Sequence, residues 1–137
     1  MKLTVDILTP QAKIFSGEAD EVLVPTVNGQ LGILPNHVAI LTQILPGELE
    51  IKTGGKSQFV AIMGGYLEVG NNKVNILGDY AVRAEDIEIA KVEQAKAKAE
   101  KMKQEKVSIE DITGIEADLR RSILELKVAQ RRRSPRN

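Results

Sequence analysis

The chain has 137 residues, enough for one ordinary domain or a small domain with an appendage. Apolar residues make up 42% of it, which allows a packed core, and the absence of cysteine excludes disulfide staples and thiolate chemistry. With a single histidine as well, a zinc site has no ligand set, so no metal is expected.

Charge cancels overall but not locally. Residues 1–84 carry six basic and eight acidic side chains, and residues 85–119 carry six and ten. Residues 120–137 carry seven basic side chains against Glu125 alone. A basic end on an otherwise acidic chain points to an electrostatic partner for that end. The opening "MKLTVDILTP" alternates in polarity and lacks a secretory apolar region. No apolar run reaches the roughly 20 residues of a membrane helix, so the expectation is a soluble protein without membrane insertion.

In chain order, "KLTVDIL" places Leu3, Val5 and Ile7 on one face, the period of a half-buried strand. "EVLVPT", "HVAILTQI" and "QFVAIM" are more continuously apolar and fit strands covered on both faces. Alternation returns in "GELEIK", "YLEVG" and "NKVNIL". Turn signals separate these segments at Asn28-Gly29, Pro46-Gly47, Gly54-Gly55 and Gly70-Asn71-Asn72. Short strands with close-spaced turns predict an antiparallel sandwich or barrel over residues 1–84.

From residue 85 the period changes. Ala, Glu and Lys dominate, and Val92, Ala95, Ala99 and Met102 form a helical stripe, with Glu85 and Asp86 at the expected helix start. "VSIED" interrupts the run, with Ser108 as an N-cap and Asp111 three residues on. A second stripe runs through Ile112, Ile115, Leu119, Ile123, Leu126 and Ala129, and its helix should stop before Ser134-Pro135. Thr113-Gly114 is a soft spot within it. The expectation is α+β: a sandwich domain at 1–84 and an antiparallel two-helix hairpin at 85–137. The alanine-rich first stripe buries little area, so the hairpin should be able to open and re-pack elsewhere.

No catalytic constellation emerges. His37 has no nucleophile partner, and the glycines of "GQLGILPNH" lack the lysine-serine pair and helix start of a phosphate loop. Phe15, Phe59, Tyr66 and Tyr80 on an acidic half do not make a nucleic-acid stacking face. What remains for "GQLGILPNH" is docking. Leu31 and Ile33 either form an exposed apolar knob or tuck under the sandwich rim, and spacing alone leaves both open.

"VPTVNGQLGILPNHVAILTQILPGELEI", "MGGYLEVGNNKVNIL" and the "EDI"-headed hairpin together resemble the epsilon subunit of the F-type ATP synthase, in its cyanobacterial and plastid flavour. The resemblance implies a sandwich of about ten strands plus the helical hairpin. It implies a non-catalytic rotor subunit bound to gamma, resting on the c-subunit ring at the stromal face of a thylakoid or, second, at a bacterial plasma membrane. The loop matching Thr26–Ile33 then approaches the ring and His37 lies near gamma, which makes Gln30, Leu31, Gly32, Ile33 and His37 the docking candidates.

The resemblance also implies a brake. The hairpin extends along gamma, and Arg120, Arg121, Lys127, Arg131, Arg132 and Arg133 meet acidic segments of the alpha and beta subunits to block ATP hydrolysis. Some relatives bind ATP through an Ile/Leu-Asp-x-x-Arg-Ala motif. Here the matching stretch has Glu88 for aspartate, Lys91 for arginine and Val92 for alanine. Lysine lacks the planar guanidinium fork. Arg83-Ala84 offers the final pair, but Tyr80 stands where the acid belongs. No cofactor is therefore expected. The competing class is a stand-alone sandwich adaptor whose basic tail binds nucleic acid or an acidic protein.

Overall fold

A computed structural model of the chain describes residues 1–105 and 108–132, with Arg132 described by its backbone only. It forms two compact units, Met1–Arg83 and Ala84–Asn137.

The first unit contains eight strands: β1 Leu3–Leu8, β2 Lys13–Ala19, β3 Glu21–Thr26, β4 Gly29–Ile33, β5 Ile40–Thr53, β6 Lys56–Gly70, β7 Lys73–Gly78 and β8 Ala81–Arg83. Their order is β2-β1-β7-β6-β5-β3-β4, with β8 also on β6. β6 changes partner along its length, pairing with β8 over Val60–Ile62 and with β7 over Gly65–Gly70. The sheet therefore folds over on itself as a sandwich. The inward residues of both layers, among them Leu3, Val5, Ile7, Val22, Val24, Ile33, Leu49, Ile51, Leu67 and Ile76, are fully buried in one cluster.

Eight strands stand where about ten were expected, because β5 and β6 are long and unbroken. Their pairing keeps one register from Ile40↔Val69 to Thr53↔Lys56. Pro46-Gly47, read from sequence as a turn, lies inside β5 opposite Met63 and Ile62. Gly47 sits against Pro25, where an added Cβ would come within 3.0 Å of the ring. The bend falls at Gly64-Gly65, with φ of 111° and 138°, values that side-chain-bearing residues rarely adopt. One pair departs from the expected antiparallel arrangement, since β1 and β7 run parallel. β2, β4 and β8, short or weakly patterned, had no clear sequence signal.

At the far end of β5, the Gly54-Gly55 turn is tied to the β2–β3 corner. Asp20 accepts hydrogen bonds from Lys2 Nζ at 2.6 Å and from the Gly54 N–H at 2.8 Å. The Lys2 hydrogen bond, then that of Gly54, lowers the Asp20 pKa from its ordinary carboxylate value.

The second unit has a 3-10 turn at Ala84–Asp86, then α1 Ile89–Gln104 and α2 Ile109–Ala129, then a 3-10 turn at Gln130–Arg132. Ser108 caps α2 as expected, its hydroxyl accepting from Asp111 N–H at 3.2 Å. Glu85 and Asp86 precede α1 rather than opening it. Glu88 takes the N-cap place and makes no side-chain capping bond. The buried residues of α2 are Ile115, Ser122, Glu125, Val128 and Ala129. Ile123, expected on the stripe, is 53% exposed, since it lies one residue (about 100°) around the helix from Ser122. The expected stop at Ser134-Pro135 lies outside the described residues.

Gly65→Ala is expected to unfold the first unit or cost several kcal/mol, because the new Cβ meets Leu77 O and comes within 2.8 Å of Gly78 Cα. Urea denaturation of the full chain checks it. Asp20 has a depressed folded-state pKa, so its contribution is present above the unfolded value of about 3.9 and is lost as pH falls through the lower folded one. The stability gap between wild type and Asp20→Asn should therefore be present at neutral pH and close on acidification.

Candidate functional site

The stretch that looked like a docking loop is three structures. Val27 and Asn28 form the tip of the β3–β4 hairpin. Thr26 Oγ1 donates to Gly29 O at 2.6 Å and accepts from Asn28 N–H at 3.2 Å. Gly29 takes φ of 98°, which its missing side chain permits. β4 then runs along β3 only, as the last strand in the sheet order. After it, Leu34–His37 turns, with His37 N–H donating to Leu34 O at 3.1 Å and Asn36 in the left-handed region at φ 69°.

The predicted docking residues divide on this frame. Gln30 and Gly32 are exposed on β4, and His37 is half-buried, its Nδ1 donating to Val38 O at 2.7 Å. Ile33 is fully buried and Leu31 packs against the core. The apolar knob is thus not formed by this pair, because strand alternation turns Ile33 inward with Val22 and Leu31 with Val24. The apolar side chains offered outward are Val27, Leu34 and Val38, the last 75% exposed.

A second apolar surface lies on the outside of the β1-β7-β6-β5 layer. Leu8, Leu77 and Tyr66 stand side by side on β1, β7 and β6, and the register continues to Gln43 on β5. Leu41 and Leu45 flank Gln43 on the same face. Leu41 is 71% exposed, and Tyr66 and Leu77 are more than half exposed. Single exposed leucines are ordinary, whereas a contiguous apolar row across three strands is a candidate interaction surface. The sequence held a signal for it: Leu8, Tyr66 and Leu77 fall on the polar phase of strands whose other phase fills the core.

In the second unit Arg120, Arg121 and Lys127 are exposed along α2. Arg121 Nε lies 3.6 Å from Glu125 Oε1, one helical turn on. Arg131 is half-buried in the final 3-10 turn, Arg132 shares that turn, and Arg133 lies outside the described residues. Glu88 and Lys91, the positions matching a nucleotide motif, pair with each other at 3.0 Å, both largely exposed. Among the described residues no group of acids and histidine could hold a metal, and no helix is long and apolar enough to cross a membrane. Phe59 is buried and Phe15 packs on the core, so Tyr66 is the one exposed ring among the described residues, which leaves the nucleic-acid alternative without a stacking face.

The family model for the ATP synthase delta/epsilon chain β-sandwich domain matches residues 2–84. The ATP synthase epsilon chain of Herpetosiphon aurantiacus is 41% identical over 134 residues, covering 98% of each chain. That of Dehalococcoides mccartyi is 40% identical over 133 residues, covering 96% of this chain and 95% of its own. Among solved structures, a chain of the Euglena gracilis mitochondrial ATP synthase OSCP/F1/c-ring assembly superposes with a TM-score of 0.64 at 23% identity, covering 94% of this chain and 78% of that one. A chain of the Tetrahymena thermophila mitochondrial ATP synthase central stalk and c-ring gives 0.62 at 17%, covering 94% and 97%. These two show a shared fold. An eight-stranded sandwich, a two-helix unit with a basic end and full-length relatives of one name together place this chain in the ATP synthase epsilon chain family, as a non-catalytic subunit.

Proposed function

We propose that the sandwich is the foot of the rotor, fastened to the gamma subunit by its outward apolar face and touching the c-subunit ring with the β3–β4 hairpin tip. The observation that carries this is the row Leu8, Leu77 and Tyr66 with Leu41 and Leu45 beside it. A packed sheet under that row makes it a rigid plate, so a partner gains apolar contact without the cost of ordering a loop. The exposed Leu34 and Val38, with His37 between them, lie in the loop that leads into β5, the strand that carries Leu41 and Leu45, and on this reading they add to the contact with gamma. Val27, Asn28, Gly29 and Gln30 form a narrower, more polar tip suited to the short polar loops of a ring. The chain then works at the periphery of the coupling membrane, on its cytoplasmic or stromal side.

The hairpin is the brake on this reading. Its closure is weak by construction. α1 contributes alanines to a seam that leaves a recess of about 310 Å³, bounded by Ala95, Ala99 and Met102 on one helix and Ile115 and Ser122 on the other. A small, partly polar seam yields little apolar burial to offset the ordering of two helices. Released, α1 and α2 total 37 residues, 16 and 21, and would span about 55 Å end to end. Arg120, Arg121 and Lys127 lie along the far half of that span, and Arg131 follows in the 3-10 turn after it. Their charge draws the arm toward acidic partner surfaces, and the exposed Ile109 and Ile123 supply apolar contact once it arrives. Nucleotide has no part in this reading, since Lys91 lacks the planar guanidinium fork of the arginine it replaces.

Replacing Leu41, Tyr66 and Leu77 together with serine should weaken binding to isolated gamma by at least about thirtyfold, the size of a central hot spot, with little change in melting. Unchanged affinity would move the docking face elsewhere. Replacing Arg120, Arg121, Lys127 and Arg131 with glutamine should raise ATP hydrolysis by the assembled motor. The wild-type brake should also weaken as salt shortens the screening length from about 10 Å at 0.1 M. Hydrolysis indifferent to both changes would remove the brake.

A further inference from the structure

The turn that carries Leu34 and Val38 is held by a residue far away in sequence. Asn36 donates its backbone N–H to Oδ1 of Asn72 at 2.6 Å, a link across 36 residues. Asn72 sits in the two-residue turn between β6 and β7, where Asn71 and Asn72 take φ of 51° and 60°. Positive φ at both central residues is the turn that matches the twist of a tight hairpin. Its base is closed by the Gly70↔Lys73 pair. The Asn72 backbone carbonyl is fixed as well, accepting from Thr4 N–H at 2.8 Å, and its side-chain Nδ2 donates to Met1 Sδ at 3.4 Å. Asn72 therefore projects its oxygen from a backbone locked on two sides.

The Leu34–His37 turn has much less of its own. It lies between strands, outside the ladder, and closes through His37 N–H to Leu34 O at 3.1 Å. Its left-handed residue, Asn36, is exposed.

We infer that Asn72 is a positioning residue for partner docking: its carboxamide oxygen pins the Asn36 N–H and so sets the direction in which Leu34 and Val38 are presented to gamma. The inference rests on the docking reading above. The position makes two demands at once, tolerance of φ near 60° and an acceptor one methylene from the backbone. Asparagine and aspartate meet both, whereas glycine meets only the first.

That difference provides the test, carried out on the full chain with isolated gamma subunit as the probe. Asn72→Gly keeps the turn and deletes the acceptor. It should leave the exchange of the β6–β7 ladder amides as in wild type, accelerate exchange of the Asn36 amide, and weaken gamma binding on the order of tenfold, the effect of one hydrogen bond. Asn72→Asp should restore both readouts, which a loss of general stability would not allow. Unchanged Asn36 exchange in Asn72→Gly overturns the latch. Accelerated exchange with wild-type affinity overturns its role in docking. A wild-type chain that does not bind gamma overturns the docking reading itself and takes this inference with it.

Discussion

The structure depends on one long pairing, β5 against β6, kept in a single register while the sheet bends through Gly64 and Gly65. Three further strands pair on it directly, and β1, β2 and β4 follow from those. β3 pairs along β5, and both β7 and β8 pair along β6. Two glycines at φ above 110° let the ladder turn without breaking, so the two layers share backbone as well as a core. The result is a plate whose inner face is filled by branched aliphatic side chains and whose outer face can be specialised at little cost to the fold.

That separation of faces is what the proposed docking foot uses. Core residues and surface residues alternate along the same strands, so Ile76 fills the interior while Leu77 beside it faces out. The strand ladder fixes the spacing of Leu8, Leu77 and Tyr66. The loops at the rim lack such support, and Leu34–His37 draws its orientation from a hydrogen bond to another turn. Rigid plate and supported rim differ in how accurately they hold a contact, and both sit on the same core.

The helical unit follows the opposite logic. Its helices are well formed locally, with good propensity and a capped second helix, yet the seam between them is thin. Alanine contributes little area, and Ser122 and Glu125 occupy buried places that apolar residues would fill in a permanent bundle. Helices that are individually sound and mutually weakly held suit an arm that exchanges one set of contacts for another.

Much of this was legible in the amino-acid order because it rests on local periodicity. Alternation at Leu3, Val5 and Ile7 or at Val74 and Ile76 specified inward faces. The change to Ala, Glu and Lys near residue 85 marked the second unit, and Ser108 with Asp111 marked a helix start. The basic end and the family resemblance came from the same linear information. Tertiary structure decided what depends on who pairs with whom. It made Pro46-Gly47 part of a strand, because Pro25 packs there and β6 supplies the other edge. It put Ile33 in the core, turned Ile123 to solvent, and assembled the outer apolar row from strands up to about 70 residues apart. Periodicity fixes which way a side chain points relative to its own strand or helix. Only long-range pairing decides what, if anything, stands opposite.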